Sequence, residues 1–197
     1  MTNETKWSMD QAHCEIAFKV GRLMVAHING TFKTFDASVY TKLKDFTTAE
    51  IDFWIDASSI TTGDAKRDEH LKSSDFFDVK KYKQITFTSR TIGKSDSNGN
   101  HDLWGELTIK GVTKNVKLMV QFGGILNDPW GYEKAEFTVS GKINRSDWGL
   151  IWNASMVAGS LMVSDEITIS CEVELTNAGQ KELIMELEHT IDKEVMR

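Results

Sequence analysis

Hydrophobic and polar residues alternate along much of this chain. In Ile51–Asp56, the side chains of Ile51, Phe53 and Ile55 fall on one side, and those of the residues between them fall on the other. Successive side chains of a strand face opposite ways, so each alternating run predicts a strand with one apolar face. The same period of two recurs in further segments and predicts strands near residues 11–20, 31–42, 48–58, 84–92, 102–110, 114–126, 133–145 and 164–176.

Eight such strands, with little helix between them, indicate an all-β fold. Their apolar faces must be covered against one another, either in a sandwich or in a closed barrel. The interior of a barrel is either filled by side chains or left open for an apolar guest. Which of these two interiors the chain adopts decides between a structural protein and a binding protein.

Three connections between the predicted strands carry apolar residues. The segment from Gly21 to Gly30 is expected to form a short helical turn with Met24 and Ile28 on its apolar face. Residues 64–78 are expected to form a helix or a helical loop that leads into a pair of phenylalanines. Residues 146–163 form a long loop rich in Trp and Met, and this composition indicates packing over an opening.

The tail of the chain has a different period. Leu183, Leu187 and Ile191 recur at the spacing of one helical face, with acidic residues on much of the remaining surface. This pattern predicts an amphipathic helix over residues 177–197, appended to the strands. We expect the helix either to dock on the barrel wall or to pair with a second copy, which would make a homodimer.

Composition narrows the classes of partner. The chain has 197 residues, a formal net charge of −6 and a pI near 5.4. Nucleic acid is not an expected partner, because binding phosphates needs clustered Lys and Arg. No stretch approaches the roughly 20 apolar residues of a transmembrane helix, so stable membrane insertion is not expected. The polar segment Met1–Asp10 lacks the pattern of a secretory signal, and we expect a cytoplasmic protein.

The two cysteines, Cys14 and Cys171, fall on the apolar sides of the first and the last predicted strands. These two strands are expected to pair if the sheet closes on itself, which would bring the thiols near each other. We expect two reduced, buried thiols, with a disulfide across the seam as the alternative.

Residue patterns typical of catalysis or metal binding are absent from the sequence. The five histidines are scattered singly, and neither a GxSxG motif nor a phosphate-binding Gly-rich loop is present. We therefore expect no catalytic residue and no metal site. His27 is expected to be a core histidine with a satisfied hydrogen bond. Arg67 and Asp68 are expected to fix their loop by local hydrogen bonds, with Arg67 facing a ligand head group as the alternative.

Several short motifs follow one another along the chain. The pattern W-x-x-D-x-x-H occurs at Trp7, Asp10 and His13, and residues 67–78 have the sequence RDEHLKSSDFFD. Further blocks are Phe18–Val20 with His27, Gly30–Phe32, Ser59–Thr62, Ile85–Phe87, Gly105–Thr113 and Arg145–Gly149. In order and spacing, these motifs resemble the YceI-like, lipocalin-like polyisoprenoid-binding family from about residue 7 to residue 176.

The resemblance implies an antiparallel barrel that holds a long isoprenoid or fatty chain in its interior. Together with the strands and helices predicted above, it gives the expected fold: an all-β, eight-stranded antiparallel lipocalin-like barrel with a short helical insertion and a C-terminal helix. It implies that residues 1–176 form a lipid-binding domain and that residues 177–197 are an extension. Two features depart from the family pattern. Lys83 stands where the family usually has Pro, which affects a loop rather than the cavity, and no export signal is visible although many relatives are exported.

We therefore expect a non-enzymatic protein that binds, transports or stores a long-chain amphiphilic lipid, such as an isoprenoid quinone, a polyprenyl or a fatty-acid derivative, without a cofactor. The barrel wall around the lipid is expected to comprise Phe18, Val20, Phe53, Ile55, Phe87, Leu107, Ile109, Leu118, Val120, Phe137 and Ile169. The mouth is expected to be lined or covered by Met24, Ile28, Phe76, Phe77, Trp148 and Met162, with His27 and Arg67 as its polar groups.

Two alternatives come from other functional classes. One is a structural or interaction protein with a filled barrel that dimerises through the C-terminal helix. The other is an enzyme that acts on an isoprenoid-like substrate and uses His27 or the Arg67–Asp68 pair. The state of the barrel interior and the direction in which His27 faces distinguish these alternatives from a binding protein.

Overall fold

The computed structural model describes residues 4–22, 26–153 and 163–195, with side chains described up to residue 186 of the last helix. Its strands are β1 (Glu4–Met9), β2 (Glu15–Arg22), β3 (Ala26–Phe32), β4 (Phe35–Lys42), β5 (Asp45–Asp56), β6 (Ile60–Thr61), β7 (Gln84–Ile92), β8 (Asn100–Ile109), β9 (Val112–Asn127), β10 (Glu133–Asn144) and β11 (Val163–Asn177). Its α-helices are α1 (Ala65–Lys72) and α2 (Ala178–Val195). Short 3-10 turns occur at Gln11–His13, Ala57–Ser59 and Arg145–Trp148.

The strands close into an eight-stranded antiparallel barrel, which confirms the predicted fold class. The pairing order around the barrel is β1-β4-β5-β7-β8-β9-β10-β11, and β11 pairs again with β1. Farther along its length, β11 pairs with β2. Strand β2 in turn pairs with β3, and β3 pairs with β6. Three of the eight barrel strands are therefore broken into two pieces each, namely β1 with β2, β3 with β4, and β5 with β6.

The first strand piece, β1, is not predicted by the alternation, because Trp7 and Met9 are its only large apolar residues. Trp7 is nevertheless completely buried, between β4 and the end of β11. The chain then breaks into a 3-10 turn, where the Asp10 carboxylate accepts a hydrogen bond from the Ala12 amide at 3.3 Å. The break lets one barrel strand pair with β4 at one end of the barrel and with β3 at the other.

The helical turn predicted over residues 21–30 is wrong in the part that the structure describes. Ala26–Phe32 forms strand β3, paired antiparallel with β2 so that Val20 lies opposite Ile28 and Phe18 lies opposite Gly30. The missing side chain of Gly30 makes room for the Phe18 ring, because a Cβ there would lie 2.2 Å from Phe18 Cζ. Met24 lies outside the described residues.

The helical insertion between β6 and β7 is confirmed. Helix α1 begins after Asp64, whose carboxylate accepts hydrogen bonds from the amides of Lys66 and Arg67 at 3.0 and 3.1 Å. Such an N-cap satisfies amides that have no partner inside the helix. Turns follow the helix, and they place Phe77 against the barrel core and bury Phe76 beside His70 and Trp152.

The C-terminal helix is also confirmed, and its first turns dock on the barrel. Helix α2 packs against β1 and β11. Near its start, the Gln180 side-chain oxygen accepts a hydrogen bond from the Glu133 amide at 2.7 Å, which ties the helix to β10. Across the described ranges, neither helix is long and apolar enough to cross a membrane.

Candidate functional site

A cavity of about 790 Å³ occupies the barrel interior. It extends from the end covered by α1, here called the helix end, to the end beside the β4–β5 hairpin, here called the hairpin end. Because the inward side chains leave this space open, the alternative of a barrel filled by its own side chains is wrong. The predicted site residues that line the cavity are Phe18, Val20, Ile28, Phe53, Ile55, Arg67, Phe76, Phe77, Phe87, Leu107, Ile109, Leu118, Val120, Phe137 and Ile169.

The other predicted site residues lie elsewhere. His27 is exposed on the outer face of β3, because its neighbour Ile28 faces inward, so the expectation of a core histidine is wrong. Trp148 is buried in the core beside the cavity, where its Nε1 donates to the Leu107 carbonyl at 3.1 Å. Met24 and Met162 lie outside the described residues.

The cavity wall also contains many residues beyond those predicted for the site. Most continue the alternation of a named neighbour by two positions, so the same pattern could have found them. They include Ile16, Phe32, Ile51, Ile85, Ile92, Leu103, Phe122, Val139, Ile143, Ile167, Cys171 and Val173. The wall is therefore almost wholly aliphatic and aromatic, which suits an apolar guest.

At the helix end, the cavity is lined by polar side chains from α1 and the segment before it. Arg67 donates from Nε to Thr62 Oγ1 at 2.7 Å and from Nη2 to the Thr62 carbonyl at 2.8 Å. Asp68 accepts hydrogen bonds from the amide and the hydroxyl of the same threonine at 2.8 and 2.5 Å. The prediction that Arg67 and Asp68 fix this loop is confirmed, and Arg67 also faces the cavity, together with Lys66.

His70 packs against aromatic rings at the helix end of the cavity. Its Nε2 lies 2.9 Å from the Asp75 carboxylate, which fixes the plane of the ring. The ring meets Trp152 edge-on at a centroid distance of 4.7 Å and Phe76 at 5.2 Å. The contacts join helix α1 to the segment after the 3-10 turn at Arg145–Trp148, so the cavity wall at this end is built from two distant parts of the chain.

Arg145 holds that second segment in place. Its side chain is buried and donates to the carbonyls of Ser164 and Trp152 at 2.9 Å each and to the carbonyl of Leu150. Burial lowers the pKa of the guanidinium, and Asp165 partly offsets this effect. The sequence motif around Arg145 does not reveal this function, because the carbonyls that the guanidinium reaches are brought together only by folding.

At the hairpin end, an aromatic cluster closes the cavity. Phe46 packs against Phe122, Phe137 and Trp7, with ring centroids 5.5, 4.8 and 4.9 Å away. Lys44, Asp45 and Thr47 line the same end. The two ends of the cavity are therefore polar, and an aromatic barrier stands just inside the hairpin end.

A charged cluster lies outside the cavity. It is beside the 3-10 turn that separates β1 from β2, where both strands adjoin β11. Lys134 Nζ lies 2.5 Å from an Asp10 carboxylate oxygen and 2.8 Å from a Glu174 carboxylate oxygen. Burial raises the pKa of Asp10, but hydrogen bonds from Lys134 and His13 outweigh burial and lower it to about 2. Ligand atoms of Asp10, His13 and Glu174 lie within 4.8 Å of one another, but Lys134 already serves as the cation of both carboxylates.

Both cysteines are free thiols, as predicted. Cys14 directly precedes β2, and β2 pairs with β11, where Cys171 lies opposite Ile16. Burial raises the pKa of the Cys171 thiol to about 12, so it stays protonated. Cys14 accepts a hydrogen bond from the Glu174 amide at 3.2 Å. The two thiols therefore act as small packing residues of the seam.

Comparison with known proteins places this geometry in a family. The family model of the YceI-like domain matches residues 7–175, which confirms the resemblance found in the motifs. A UPF0312 protein of Staphylococcus epidermidis is 34% identical over 173 residues, which cover 87% of this chain and 98% of that protein. A UPF0312 protein of Staphylococcus aureus is 32% identical over the same shares of the two chains.

Solved structures share the fold. The YceI protein of Campylobacter jejuni is 34% identical, with a TM-score of 0.68 over 85% of this chain and 95% of that one. A polyisoprenoid-binding domain from Saccharophagus degradans has a TM-score of 0.61 over 87% of this chain and 98% of that one. Because this domain is 16% identical, the comparison with it shows the fold alone.

Proposed function

Because this chain belongs to the YceI-like domain family and encloses an open apolar cavity, we propose that it binds one long-chain amphiphilic lipid, of the isoprenoid class, inside its barrel. The protein would carry or store the lipid and would leave it chemically unchanged. The observation that carries the proposal is the cavity of about 790 Å³, with an apolar wall and polar groups at its two ends.

The shape of the cavity favours an extended chain over a compact molecule. Strand β10 has 12 residues, and at about 3.3 Å per residue and a tilt of about 40° such a strand spans roughly 30 Å of barrel axis. A prenyl tail that buries roughly 400 Å² would gain about 10 kcal/mol before the costs of association, at about 25 cal/mol per Å². Burial of the tail would therefore supply most of the affinity.

Charge at the helix end supports an orientation for the guest. Lys66 and Arg67 face the cavity there, and Arg22 and Arg145 also line it. Among the residues that line this end, Asp64 carries a carboxylate. One oxygen of this carboxylate already accepts hydrogen bonds from two helix amides. A head group with oxygen acceptors, such as a phosphate or a quinone, would lie at the helix end, and the tail would extend toward the hairpin end.

The name of the Saccharophagus degradans domain supplies a guest class by analogy, namely polyisoprenoid. The enzyme alternative receives less support, because His27 faces away from the cavity and the Asp68 carboxylate is bonded to Thr62. A binding function requires no reactive group in the cavity, and the apolar wall meets its main requirement.

Lipid extraction from the purified protein tests the proposal. Protein isolated without added lipid would be washed, denatured in organic solvent and analysed by mass spectrometry for isoprenoid and fatty-acyl compounds. We expect about one equivalent of a long-chain amphiphile per chain. A protein that carries no lipid, and that takes up none from an added polyprenol or isoprenoid quinone, would overturn the proposal.

A further inference from the structure

Phe46 belongs to the aromatic cluster at the hairpin end of the cavity, at a position that the strand pattern would have placed outside. Ala49, Ile51, Phe53 and Ile55 face the cavity from alternate positions of β5. Phe46 breaks this alternation, since it lies an odd number of residues before Ala49, yet it also lines the cavity. The backbone must therefore depart from regular strand geometry between these two residues.

A bulge between β4 and β5 accounts for the departure. Tyr40 lies opposite Glu50 and Lys42 lies opposite Asp45, so residues 46–49 stand opposite Thr41 alone. Extra residues on one strand of an antiparallel pair bend that strand and redirect its side chains. Residues 45–49, here called the arch, thus fold over the hairpin end of the barrel and direct Phe46 into it.

The arch is held by its own hydrogen bonds. Thr48 Oγ1 donates to the Asp45 carbonyl at 2.6 Å and accepts from the Lys42 amide at 2.9 Å. Thr47 donates to the Asp45 carboxylate from its amide at 3.0 Å and from its hydroxyl at 2.6 Å. These bonds all lie within the β4–β5 hairpin, so they hold the arch without the contribution of a guest.

The surroundings of the Phe46 ring resist its displacement. Behind it stands Trp7, which is 0% exposed and hydrogen-bonded to Thr41. Beside it stand Phe122 and Phe137, whose ring centroids are 5.2 Å apart. An ion pair between Lys44, the residue before the arch, and Glu133 ties the β4–β5 hairpin to β10. Moving the ring outward would break its contacts with Trp7, Phe122 and Phe137.

We propose that Phe46 is the end wall of the cavity and sets the maximum chain length of the guest. This inference rests on the proposed function and adds a specificity residue to it. With the head group held at the helix end by Lys66 and Arg67, the tail extends toward Phe46. A tail that stops short of the Phe46 ring is fully buried, whereas a longer tail must fold back or leave its head group in the wrong place.

A competition among chain lengths tests the inference. Delipidated protein would be mixed with an equimolar series of polyprenols that differ only in the number of isoprene units, and the bound chains would be counted by mass spectrometry. In Phe46→Ala, the most abundant bound chain should become longer by at least one isoprene unit. In Phe46→Trp, the larger ring should shift the bound chains to shorter lengths.

Trp54→Ala is the control, because Trp54 belongs to the same strand as Phe46 but does not line the cavity. It also removes an aromatic ring from β5 and should leave the preferred length unchanged. If both Phe46 variants bind the wild-type distribution, or if Trp54→Ala lengthens the chains as much as Phe46→Ala does, Phe46 is not the end wall. If the wild type binds no polyprenol at all, the proposed function itself fails, and that outcome differs from bound chains with unchanged lengths.

Discussion

Trp7 Nε1 donates a hydrogen bond to Thr41 Oγ1 at 3.0 Å, and the exposed fractions of the two residues are 0% and 1%. The Thr41 hydroxyl in turn donates a hydrogen bond to the Leu43 carbonyl at 2.6 Å. This relay joins β1 to β4 and to the β4–β5 hairpin, at the end of the barrel where Phe46 lies against Trp7. This side-chain hydrogen bond thus reinforces the backbone pairing of β1 with β4.

Thr41→Val should destabilise the fold, because it leaves the buried indole N–H without a partner. An unsatisfied buried donor costs about 1–3 kcal/mol, so the free energy of unfolding should fall by about that amount. Equilibrium denaturation by urea measures the change. Thr41→Ser keeps the hydroxyl and should lose much less, and equal losses in both variants would mean that the methyl group matters rather than the hydrogen bond.

The charged cluster at the seam should make the free energy of unfolding depend on pH in the acidic range. The usual pKa of Asp10 is 3.8 and its pKa in the fold is about 2, so the folded state binds the proton less readily than the unfolded chain. The contribution of this carboxylate is therefore complete above about pH 4 and is lost as the pH falls through 2. We expect it to be about 1–2 kcal/mol in denaturation curves measured between pH 2 and pH 6.

Lys134→Met is the comparison for the acid dependence, because Lys134 supplies the largest hydrogen bond that lowers the pKa of Asp10. Without the ammonium, Asp10 and Glu174 remain as partly buried carboxylates, so the variant should be less stable at neutral pH. Its loss of stability below pH 4 should be weaker than that of the wild type. An acid dependence as steep as that of the wild type would show that other carboxylates cause it.

The strands were predictable because one face of each is buried and the other is not. In runs such as Ile51–Asp56, the period of two places Phe53 in the cavity and Trp54 outside it, and the structure follows this pattern. The same reasoning misplaced His27, because residues 21–30 were interpreted as a turn and β3 was begun too late. Once β3 begins at Ala26, the inward position of Ile28 requires His27 to face outward.

The ends of the cavity were less predictable than its wall. Phe46 reaches the cavity through a bulge, and a bulge breaks the alternation on which the prediction rests. Arg145 is stabilised by backbone carbonyls of Leu150, Trp152 and Ser164, and the sequence does not reveal which carbonyls will come within reach of a buried guanidinium. Tertiary packing thus determines both features.

Gly30→Ala should destabilise the barrel through the Phe18 ring. A Cβ at this position would lie 2.2 Å from Phe18 Cζ, so the ring must move into the cavity or the two strands must separate. Overpacking of this kind costs about 1–3 kcal/mol. Gly179→Ala is the control, since a Cβ there meets nothing closer than 3.8 Å, and it should preserve stability or raise it slightly. Thermal denaturation of the two variants would measure this difference in stability.

Arg67→Gln should weaken binding of lipids with an anionic head group. A charge-assisted hydrogen bond contributes about 1.5 kcal/mol, so the dissociation constant of a prenyl phosphate should rise about tenfold. The prenyl alcohol of equal length should lose less affinity, because it carries no charge. Lys117→Gln, on the outer wall beside Trp104, is the control and should change neither ligand. Equal losses for phosphate and alcohol would place the head group away from Arg67.

Uptake of a polyprenol by delipidated protein, followed by native mass spectrometry, tests the central claim most directly when wild type, Phe53→Asp and Trp54→Asp are compared. Phe53 lines the cavity, and Trp54 lies on the opposite face of the same strand. A carboxylate beside an apolar tail is unfavourable, so Phe53→Asp should bind almost no lipid, while the wild type and Trp54→Asp form one-to-one complexes. Undiminished uptake by folded Phe53→Asp would contradict lipid binding inside the barrel.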